Sequence, residues 1–277
     1  MSGRVLPSRA DREGGRTVLV TGASAGIGEA AARVFAARGW NLALTARRED
    51  RLAALADELA GAHRVRVHVI PGDLSDAATP ARLVDEIAAR GVEIDALVNN
   101  AGYGVPGRLL ASPWSAHDAF LRVMVTAVVE LTYRLLPAML ERRYGRILNI
   151  ASLAGIVPPT AGHTLYSASK AFLIRFSQSL AGEVAASGVH VTALCPGFTY
   201  SEFHDVSGTR QRVSRLPRWM WLDARTVAEQ GYDAVMAGRV LHVPGRINRT
   251  IAALTKALPE RLVLAAARRS ASKFREV

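Results

Sequence analysis

The sequence contains little cysteine and little lysine, and each shortage is informative. Cys195 is the single cysteine, which excludes an internal disulfide framework and fits a reducing compartment. We therefore expect a cytoplasmic protein. Only three of the 35 lysine and arginine residues are lysine, so a lysine at a motif position stands out.

Long apolar runs and nucleic-acid motifs are also missing. No apolar run is long enough for a convincing transmembrane helix. Residues 1–16 include Asp11 and Glu13 and have no apolar core, so we expect a flexible tail there rather than a signal peptide. The net charge of +11 comes without a nucleic-acid-binding motif or zinc-ligand spacing, and we expect neither a nucleic acid partner nor a metal.

Short apolar runs alternate with helical patterns along most of the chain. This rhythm predicts one α/β domain over 17–245, a parallel sheet with helices on both faces, followed by a helical extension over 246–277. The expected strands are Thr17–Thr21, Asn41–Thr45, Arg66–Ile70, Ala96–Asn99, Arg146–Ile150, His190–Cys195 and Val240–Val243. The expected helices are Ile27–Arg38, Arg48–Gly61, Ala78–Arg90, Ser115–Arg142, Leu165–Ser187 and Thr226–Ala237.

A glycine-rich turn, TGASAGIG, joins the first strand to the first helix. Glycines let the backbone turn tightly and approach a pyrophosphate, which amides at a helix N-terminus bind. The pattern indicates a dinucleotide site, although an ordinary strand-to-helix turn has the same layout. The candidate contacts are Gly22, Ser24, Gly26, Ile27 and Gly28.

The end of the second strand indicates which dinucleotide is bound. NAD-selective sites carry an acidic residue there, which holds the ribose hydroxyls. Here Arg47 and Arg48 follow the strand, and the first acid is Glu49. Arginine suits a 2′-phosphate, so we expect NADP(H), with Arg47 the first candidate and Arg48 the second. A basic helix start is the alternative.

Four motifs in order resemble those of the short-chain dehydrogenase/reductase family. They are TGASAGIG, NNAG at 99–102, a serine ahead of YSASK at 166–170, and CPGFT at 195–199. The resemblance extends from Thr17 to Val243. It implies a doubly wound sheet of the Rossmann type with about seven strands, a nicotinamide cofactor, and a homodimer or homotetramer. It also implies the catalytic set Ser152, Tyr166 and Lys170.

The chemistry of this set can be argued from its residues. Tyr166 and Lys170 are four positions apart on a helix and share a face. A free tyrosine titrates near pH 10, so a neutral-pH acid or base needs a shift of about three units. A nearby cation supplies part of it, and the oxidised nicotinamide adds more. Ser152, fourteen residues before Tyr166, is expected to hydrogen-bond the substrate carbonyl.

The resemblance implies further cofactor contacts around the ends of other strands. Asp73 corresponds to an adenine-contacting aspartate, although it could equally be a helix cap. The NNAG segment corresponds to the wall beside the adenine ribose, and the segment after Cys195 to the loop that holds the nicotinamide amide. The expected contacts are Asp73, Leu74, Asn99, Ala101, Gly102, Pro196, Gly197 and Thr199.

One position departs from the family pattern. The helix before Leu136-Pro137 usually carries an asparagine associated with a proton-relaying water, and this chain has Met124 instead, with no asparagine between Asn100 and Asn149. A thioether is a poor hydrogen-bonding group. The enzyme uses another relay, or is slowed, or binds NADP(H) without turnover. We favour the first interpretation.

The substrate end is less informative. The stretch from Tyr200 to Ala224 has no clear strand, and family analogy makes it a lid. Core packing is as good an explanation as substrate contact for its aromatic residues, and a structural role is the commoner one for the histidine before Tyr166. The candidate substrate-lining residues are Met124, His163, Phe198, Phe203, Trp219 and Trp221.

The C-terminal extension is basic and amphipathic. Ile247, Ile251, Leu254 and Leu258 fall on one helical face. Such a segment docks on the domain, covers the active site, pairs subunits or lies on an anionic membrane. We expect docking or subunit contact, and do not favour the membrane.

Together these features predict an NADP(H)-dependent oxidoreductase that interconverts a small apolar carbonyl compound and its alcohol. One alternative is an NADP(H)-binding sensor or scaffold with little catalysis, motivated by Met124. Another is a peripheral membrane protein organised by the basic tail. Within the enzyme class, the alternative is reduction of 3-oxoacyl chains carried on a carrier protein or coenzyme A, which the basic lid would attract.

Overall fold

The computed structural model describes residues 15–105, 107–159, 161–162, 164–202 and 217–258. A seven-stranded sheet has the order β3-β2-β1-β4-β5-β6-β9, and every neighbouring pair in it is parallel. Its strands are β1 (Thr17–Thr21), β2 (Asn41–Thr45), β3 (Val67–Val69), β4 (Ala96–Asn99), β5 (Gly145–Ile150), β6 (Val189–Leu194) and β9 (Leu241–His242). A separate parallel pair joins β7 (Thr199–Tyr200) to β8 (Leu222–Asp223). This order is that of a Rossmann-type doubly wound fold.

Helices cover both faces of the sheet. They are α1 (Gly26–Ala36), α2 (Glu49–His63), α3 (Thr79–Ala89), α4 (Trp114–Leu121), α5 (Ala127–Glu141), α6 (Thr164–Glu183), α7 (Ala224–Met236) and α8 (Arg246–Ala257). A π-helical turn, Arg122–Thr126, connects α4 to α5 without a break. The α7 helix begins where the Asp223 carboxylate accepts a 3.0 Å hydrogen bond from the Thr226 amide.

Alternation along the strands divides the core into two layers. Val18 and Val20 of β1 face α1, α2 and α7, whereas Leu19 faces α3, α5 and α6. Because both faces are covered, these strands are apolar throughout rather than alternating with polar residues. The two layers hold the carboxyl ends of the strands at one edge, where all the sequence motifs lie.

The expected fold class is confirmed, with two local differences. Strand and helix ends agree with expectation to within a few residues. The helix expected over Ser115–Arg142 is interrupted by the π-helical turn around Met124. The stretch expected to lack strands contains part of β7 and all of β8. These strands are two residues each, which is too short for a periodic pattern to register.

The helical stretch Trp114–Glu141 is long and apolar enough to cross a membrane by length and composition. Core helices of folded domains meet the same criterion. Its inner side chains, including Phe120, Leu131 and Met139, are fully buried against the sheet and neighbouring helices. The expectation from apolar run length missed this stretch because charged residues interrupt its outer face.

The α8 helix packs on the domain, but with a different face from the one expected. Asn248 and Ala252 are buried, whereas Ile247, Leu254 and Leu258 are 42%, 52% and 47% exposed. The inner face carries small and polar residues because it lies against the backbone of the loop after β6. Residues 259–277 of the extension, and 1–14 of the expected tail, lie outside the described residues.

Candidate active site

The glycine-rich turn approaches the NNAG segment closely. Gly22 and Gly26 have φ values of +64° and +59°, which disfavour side chains. A Cβ atom on Gly28 would lie 2.3 Å from the carbonyl oxygen of Gly22. The α1 helix has no side-chain N-cap, so the amides of its first turn remain available to an anion. The turn therefore has the geometry of a pyrophosphate cradle.

Asn100 and Thr21 fasten this turn to β4, and neither was selected from the sequence. The Asn100 Nδ2 atom donates to the carbonyl oxygens of Thr21 at 3.0 Å and Gly22 at 3.1 Å. The Thr21 hydroxyl accepts hydrogen bonds from the amides of Asn100 and Ala101, at 2.9 and 3.0 Å. The bonds bridge segments nearly eighty residues apart in sequence, so only the strand order brings their partners together.

The two candidate arginines after β2 occupy different environments. The Arg48 guanidinium donates from Nε and Nη2 to the hydroxyl of Ser24, at 3.2 and 3.1 Å. Arg48 also pairs with Glu202, Nη1 to Oε2 at 2.8 Å. Arg47 is exposed, and its charge acts on Asp73. The structure thus joins Arg48, the second candidate, to the glycine-rich turn.

Asp73 and Leu74 make contacts within the protein. The Asp73 carboxylate accepts hydrogen bonds from the amide and hydroxyl of Ser75, at 2.9 and 2.8 Å. Burial acts to raise the pKa of Asp73, but these bonds and the charge of Arg47 leave the pKa below its usual value. Leu74 is buried in the core. Asp73 therefore stabilises a turn after β3 through Ser75; it does not cap α3, which begins at Thr79 without a side-chain cap.

The NNAG segment offers a cofactor its backbone more than its side chains. Asn99 is buried and donates from Nδ2 to Oδ1 of Asn149 at 2.8 Å and to the hydroxyl of Thr132 at 3.3 Å. Gly102 lies on Met124, since a Cβ added to Gly102 would be 2.8 Å from the sulfur. Met124 itself is 1% exposed. The side chain of Met124 thus packs in the core beneath the NNAG segment, and its contact with substrate stays a prediction.

Ser152, Tyr166 and Lys170 come together beyond the carboxyl ends of β5 and β6. A hydrogen bond joins the hydroxyls of Ser152 and Tyr166. The Lys170 ammonium lies 5.8 Å from the centre of the Tyr166 ring, and Lys170 is buried. Its Nζ atom donates a 2.6 Å hydrogen bond to the carbonyl oxygen of Ile150, the last residue of β5. The predicted catalytic set is thus assembled at one place.

The pKa values of the set follow from burial. Burial raises the pKa of Tyr166 to about 12, against a lowering effect of the Ser152 hydrogen bond. Burial lowers the pKa of Lys170 to about 8. Cys195, beside Lys170, has its thiol pKa raised to about 12 by burial. The chain alone therefore does not lower the pKa of Tyr166, contrary to expectation, because desolvation of the phenolate outweighs the groups that favour it.

Gly155 brings the Ser152 loop against the catalytic helix. A Cβ atom on Gly155 would lie 2.6 Å from the backbone carbonyl carbon of Lys170. Ser152 begins a short 3-10 turn, Leu153–Gly155, where its hydroxyl accepts a 3.1 Å hydrogen bond from the Ala154 amide. The Ser152 hydroxyl is thus both a cap and a partner of Tyr166, and close packing at Gly155 sets its position.

The loop after β6 is held by the C-terminal helix. A Cβ atom on Gly197 would lie 2.6 Å from Oδ1 of Asn248, and Nδ2 of Asn248 donates a 2.9 Å hydrogen bond to the Pro244 carbonyl. Thr199 is buried, and its hydroxyl donates to the Gly197 carbonyl at 3.2 Å. Sequence reasoning missed Asn248, since nothing local marks an asparagine on an amphipathic helix.

The predicted substrate-lining residues separate into different environments. Trp221 is buried and contacts Phe198, with ring centres 5.6 Å apart, whereas Trp219 is 62% exposed. His163 and Phe203 lie outside the described residues. A small cavity beside Tyr166 is lined by apolar and polar residues of the loop after β4, of α4 and of the first turn of α6. Among its lining residues are Val105, Leu109, His117, Phe120 and Leu165.

His117 is a polar side chain in this cavity that sequence reasoning did not select. It is buried, and its Nε2 atom lies 2.8 Å from the carbonyl oxygen of Leu109. This bond fixes the ring against the loop, so His117 shapes the wall of the cavity. A lone histidine on an apolar helix gives no sequence signal for such a role.

Comparisons with known proteins agree with this geometry. Residues 16–211 match the family model described as short chain dehydrogenase. Nodulation protein G of Rhizobium sp. (strain N33) is 38% identical over 240 residues, covering 83% of this chain and 96% of the relative. Sulfoacetaldehyde reductase 2 of Chromohalobacter salexigens is 39% identical over 194 residues, covering 67% of this chain and 73% of the relative.

A solved structure extends the likeness to the fold. The short-chain dehydrogenase from Sphingobium yanoikuyae in complex with NADPH superposes with a TM-score of 0.77 at 30% identity, covering 93% of this chain and 95% of the other. The glycine-rich turn, the NNAG segment and the Ser152–Tyr166–Lys170 cluster all lie within the span common to the family model. The chain belongs to the short-chain dehydrogenase/reductase family of oxidoreductases, which bind a nicotinamide cofactor.

Proposed function

We propose that the protein is an NADP(H)-dependent oxidoreductase that interconverts a carbonyl compound and an alcohol. The observation that carries the proposal is the cluster of Ser152, Tyr166 and the buried Lys170 at the carboxyl end of the sheet, on the same edge as the glycine-rich turn. The similarity to a sulfoacetaldehyde reductase and to a dehydrogenase complexed with NADPH supports the same reaction class.

The residues around the turn fit NADP(H). The uncapped amides at the start of α1 can bind the pyrophosphate. Because Gly28 has no side chain, the backbone of the turn is open to the pyrophosphate at that position. Arg47, Arg48 and the Ser24 hydroxyl offer positive charge and a hydrogen-bond donor to a 2′-phosphate. The loop at Pro196, Gly197 and Thr199 would hold the nicotinamide end. When bound, the cofactor supplies or accepts the hydride.

The remaining chemistry belongs to the chain. The Ser152 hydroxyl hydrogen-bonds the carbonyl oxygen and stabilises negative charge as it develops there. The Tyr166 hydroxyl gives its proton to that oxygen during reduction and takes one during oxidation. In the chain alone the pKa of Tyr166 is about 12, which keeps the phenol protonated and suits it to donate a proton. Removing that proton requires positive charge beyond that of Lys170, and the oxidised nicotinamide would supply it when bound.

The substrate class that we propose is a small, mainly apolar ketone or aldehyde. The cavity wall beside Tyr166 is formed by residues such as Val105, Phe120 and Leu165, which favour apolar groups. Reduction of carrier-linked or coenzyme A-linked 3-oxoacyl chains remains a narrower proposal, and a panel that includes these thioesters separates the two.

The test is NADPH consumption across a panel of carbonyl compounds. We expect the unaltered chain to consume NADPH with at least one of them, and Tyr166→Phe to lose that activity while still binding NADPH. Tyr232→Phe, which alters a tyrosine on α7 whose ring packs on Phe35 of α1 with ring centres 4.9 Å apart, is the matched control and should behave like the unaltered chain. Loss of activity in the control, or retention in Tyr166→Phe, would contradict the assignment.

The alternative without catalysis is tested in the same assay by Met124→Asn. The buried thioether beneath Gly102 is the observation that favours it, because it offers no hydrogen bond for a proton relay. Tight NADPH binding without consumption by the unaltered chain, and activity gained in Met124→Asn, would mark a disabled enzyme. Binding without consumption in both would favour a sensor.

We also propose a homo-oligomer. Tyr133 on α5 and Phe172 on α6 are 77% and 39% exposed, and burial of such side chains between copies would be favourable. The molar mass in solution, measured by light scattering, tests this: a value near the 29.7 kDa of one chain would contradict it.

A further inference from the structure

Glu202 is bound to Arg48, one of the two arginines that the proposed function assigns to the 2′-phosphate, and to Arg51. Its Oε2 atom lies 2.8 Å from Nη1 of Arg48, and its Oε1 atom lies 2.7 Å from Nη1 of Arg51. Two arginines thus share one carboxylate. Because Arg48 also donates to the Ser24 hydroxyl, a single guanidinium connects the glycine-rich turn, the start of α2 and the segment after β7.

The position of Glu202 is set by backbone packing. The preceding residue, Ser201, packs on Gly26, where an added Cβ would lie 2.9 Å from the Ser201 Cβ atom. Two residues earlier, Thr199 pairs with Leu222 in the β7–β8 ladder. The segment that carries Glu202 therefore contacts the glycine-rich turn on one side and β8 on the other, and these contacts place the carboxylate beside the arginines.

A carboxylate at this place competes with a phosphate. Both are anions that bind guanidinium groups through charge-assisted hydrogen bonds. The N–H of Arg48 Nη1 that bonds Glu202 cannot donate to a 2′-phosphate at the same time, and two negative groups on one arginine repel each other. A cofactor with a free 2′-hydroxyl has no phosphate to compete with and leaves the ion pairs intact.

We propose that Glu202 is an internal counter-ion of the 2′-phosphate subsite, displaced from Arg48 by the phosphate of NADP(H). Glu202 thereby raises the Kd for NADP(H) without changing the Kd for NAD(H). The ratio of the two dissociation constants, which measures the preference for NADP(H), becomes smaller. This inference rests on the proposed function, because it requires that Arg48 contact a 2′-phosphate.

The experiment compares the binding of NADPH, NADH and adenosine 2′,5′-bisphosphate to the full chain and to Glu202→Gln. Titrations are run at one low ionic strength, because salt screens exposed charges. An exposed ion pair is worth up to about 1 kcal/mol, so removing the Arg48–Glu202 pair should lower the Kd for NADPH and for the bisphosphate by about two- to fivefold. The Kd for NADH should not change.

A matched control is Glu58→Gln. Glu58 also forms an exposed, two-bond pair with an arginine, Arg33, but this pair lies on the outer surfaces of α1 and α2. We expect Glu58→Gln to leave all three dissociation constants as they are. Arg48→Ala is added to test the subsite itself and should raise the Kd for NADPH about tenfold or more.

The outcomes separate the inference from the proposed function. If the unaltered chain binds NADPH no better than NADH, and Arg48→Ala changes neither, the NADP(H) assignment fails and the inference fails with it. If NADPH is preferred and Arg48→Ala weakens it, but Glu202→Gln leaves its Kd unchanged or higher, the cofactor assignment stands and the inference is overturned. A higher Kd would mean that Glu202 instead orients Arg48 for the phosphate.

Discussion

Lys170 donates a hydrogen bond from its buried ammonium to the carbonyl oxygen of Ile150, at 2.6 Å. The bond ties the catalytic helix α6 to the end of strand β5. It also compensates part of the desolvation of a charge that burial disfavours, since burial lowers the pKa of Lys170 to about 8. Holding the Lys170 ammonium in this buried position therefore lowers the free energy of unfolding, and the loss can be measured.

We predict that Lys170 makes the stability depend on pH between about 8 and 10.4. Its pKa of about 8 in the folded chain lies below the ordinary lysine value of about 10.4 in the unfolded chain. In this window the unfolded chain binds more protons, so the free energy of unfolding rises with pH. The unaltered chain should therefore gain about 1 kcal/mol relative to Lys170→Met between pH 7 and pH 9.

Denaturant unfolding of both chains at the two pH values checks this prediction. Comparing the two chains removes the contribution of Cys195, whose raised thiol pKa has the opposite effect on stability above pH 9. Lysines are few in this sequence, so little else titrates as a base in the window. An equal pH dependence in the two chains would contradict the prediction.

We predict that Ser152→Ala lowers kcat more than it lowers stability. The Ser152 hydroxyl is bonded to Tyr166 and caps a short turn through the Ala154 amide. Loss of a hydrogen-bond donor to the developing oxyanion typically lowers kcat about 10²-fold, whereas loss of one cap costs about 1 kcal/mol of unfolding free energy. Steady-state kinetics and thermal unfolding give the two values. Ser75→Ala, at the Asp73 turn, is a control that should leave kcat nearly unchanged.

We predict that Gly28→Ala abolishes tight cofactor binding and lowers stability. The added Cβ would lie 2.3 Å from both the Gly22 carbonyl oxygen and Nδ2 of Asn100, so the turn must move. Gly61→Ala is the matched control, because Gly61 lies in α2 with no atom within 4 Å of an added Cβ. Replacing a helical glycine there should raise the free energy of unfolding by about 0.5 kcal/mol. Calorimetry with and without NADPH measures both effects, and unimpaired binding by Gly28→Ala would refute the prediction.

We predict that Asn248→Ala, a substitution on the helix α8, removes contacts that hold the loop after β6 in place. The substitution removes the hydrogen bond to the Pro244 carbonyl and the contact with Gly197. Loss of a buried hydrogen bond costs about 1 kcal/mol or more of unfolding free energy, and the KM for the cofactor should rise with it. Thr250→Ala, on an exposed part of the same helix, should change neither value appreciably. An unchanged KM in Asn248→Ala would show that the loop does not depend on this helix.

The parts of the site that the sequence could predict are those with local determinants. The glycine-rich turn needs a strand, glycines and a helix in succession, and Tyr166 and Lys170 need only their spacing on one helix. The roles of Asn100, Gly155 and Asn248 could not be predicted. Each acts on a segment far away in sequence, and its partner is known only after the strands have taken their order.

The same distinction explains where the structure differs from the sequence-based picture. The spacing of four apolar side chains predicts that α8 is a helix. Which face of α8 is buried depends on its tertiary contact with the loop at Gly197. The sequence places Met124 on a helix. Its burial beneath Gly102 depends on the tertiary contact between that helix and the NNAG segment. The pKa of Tyr166 depends on how completely its surroundings exclude water, which sequence does not record.

The pairing of β1 with β4 has a consequence for how the protein is made. Val18 of β1 pairs with Leu42 of β2 on one side and with Ala96 of β4 on the other. The strand β1 therefore lies inside the sheet. During synthesis, that side of β1 stays open until β4 has left the ribosome, and the catalytic residues emerge later still. A growing chain therefore exposes an apolar central strand before Ser152, Tyr166 and Lys170 have been synthesised. Contacts this distant in sequence slow folding and lengthen the interval in which such a strand is open to aggregation.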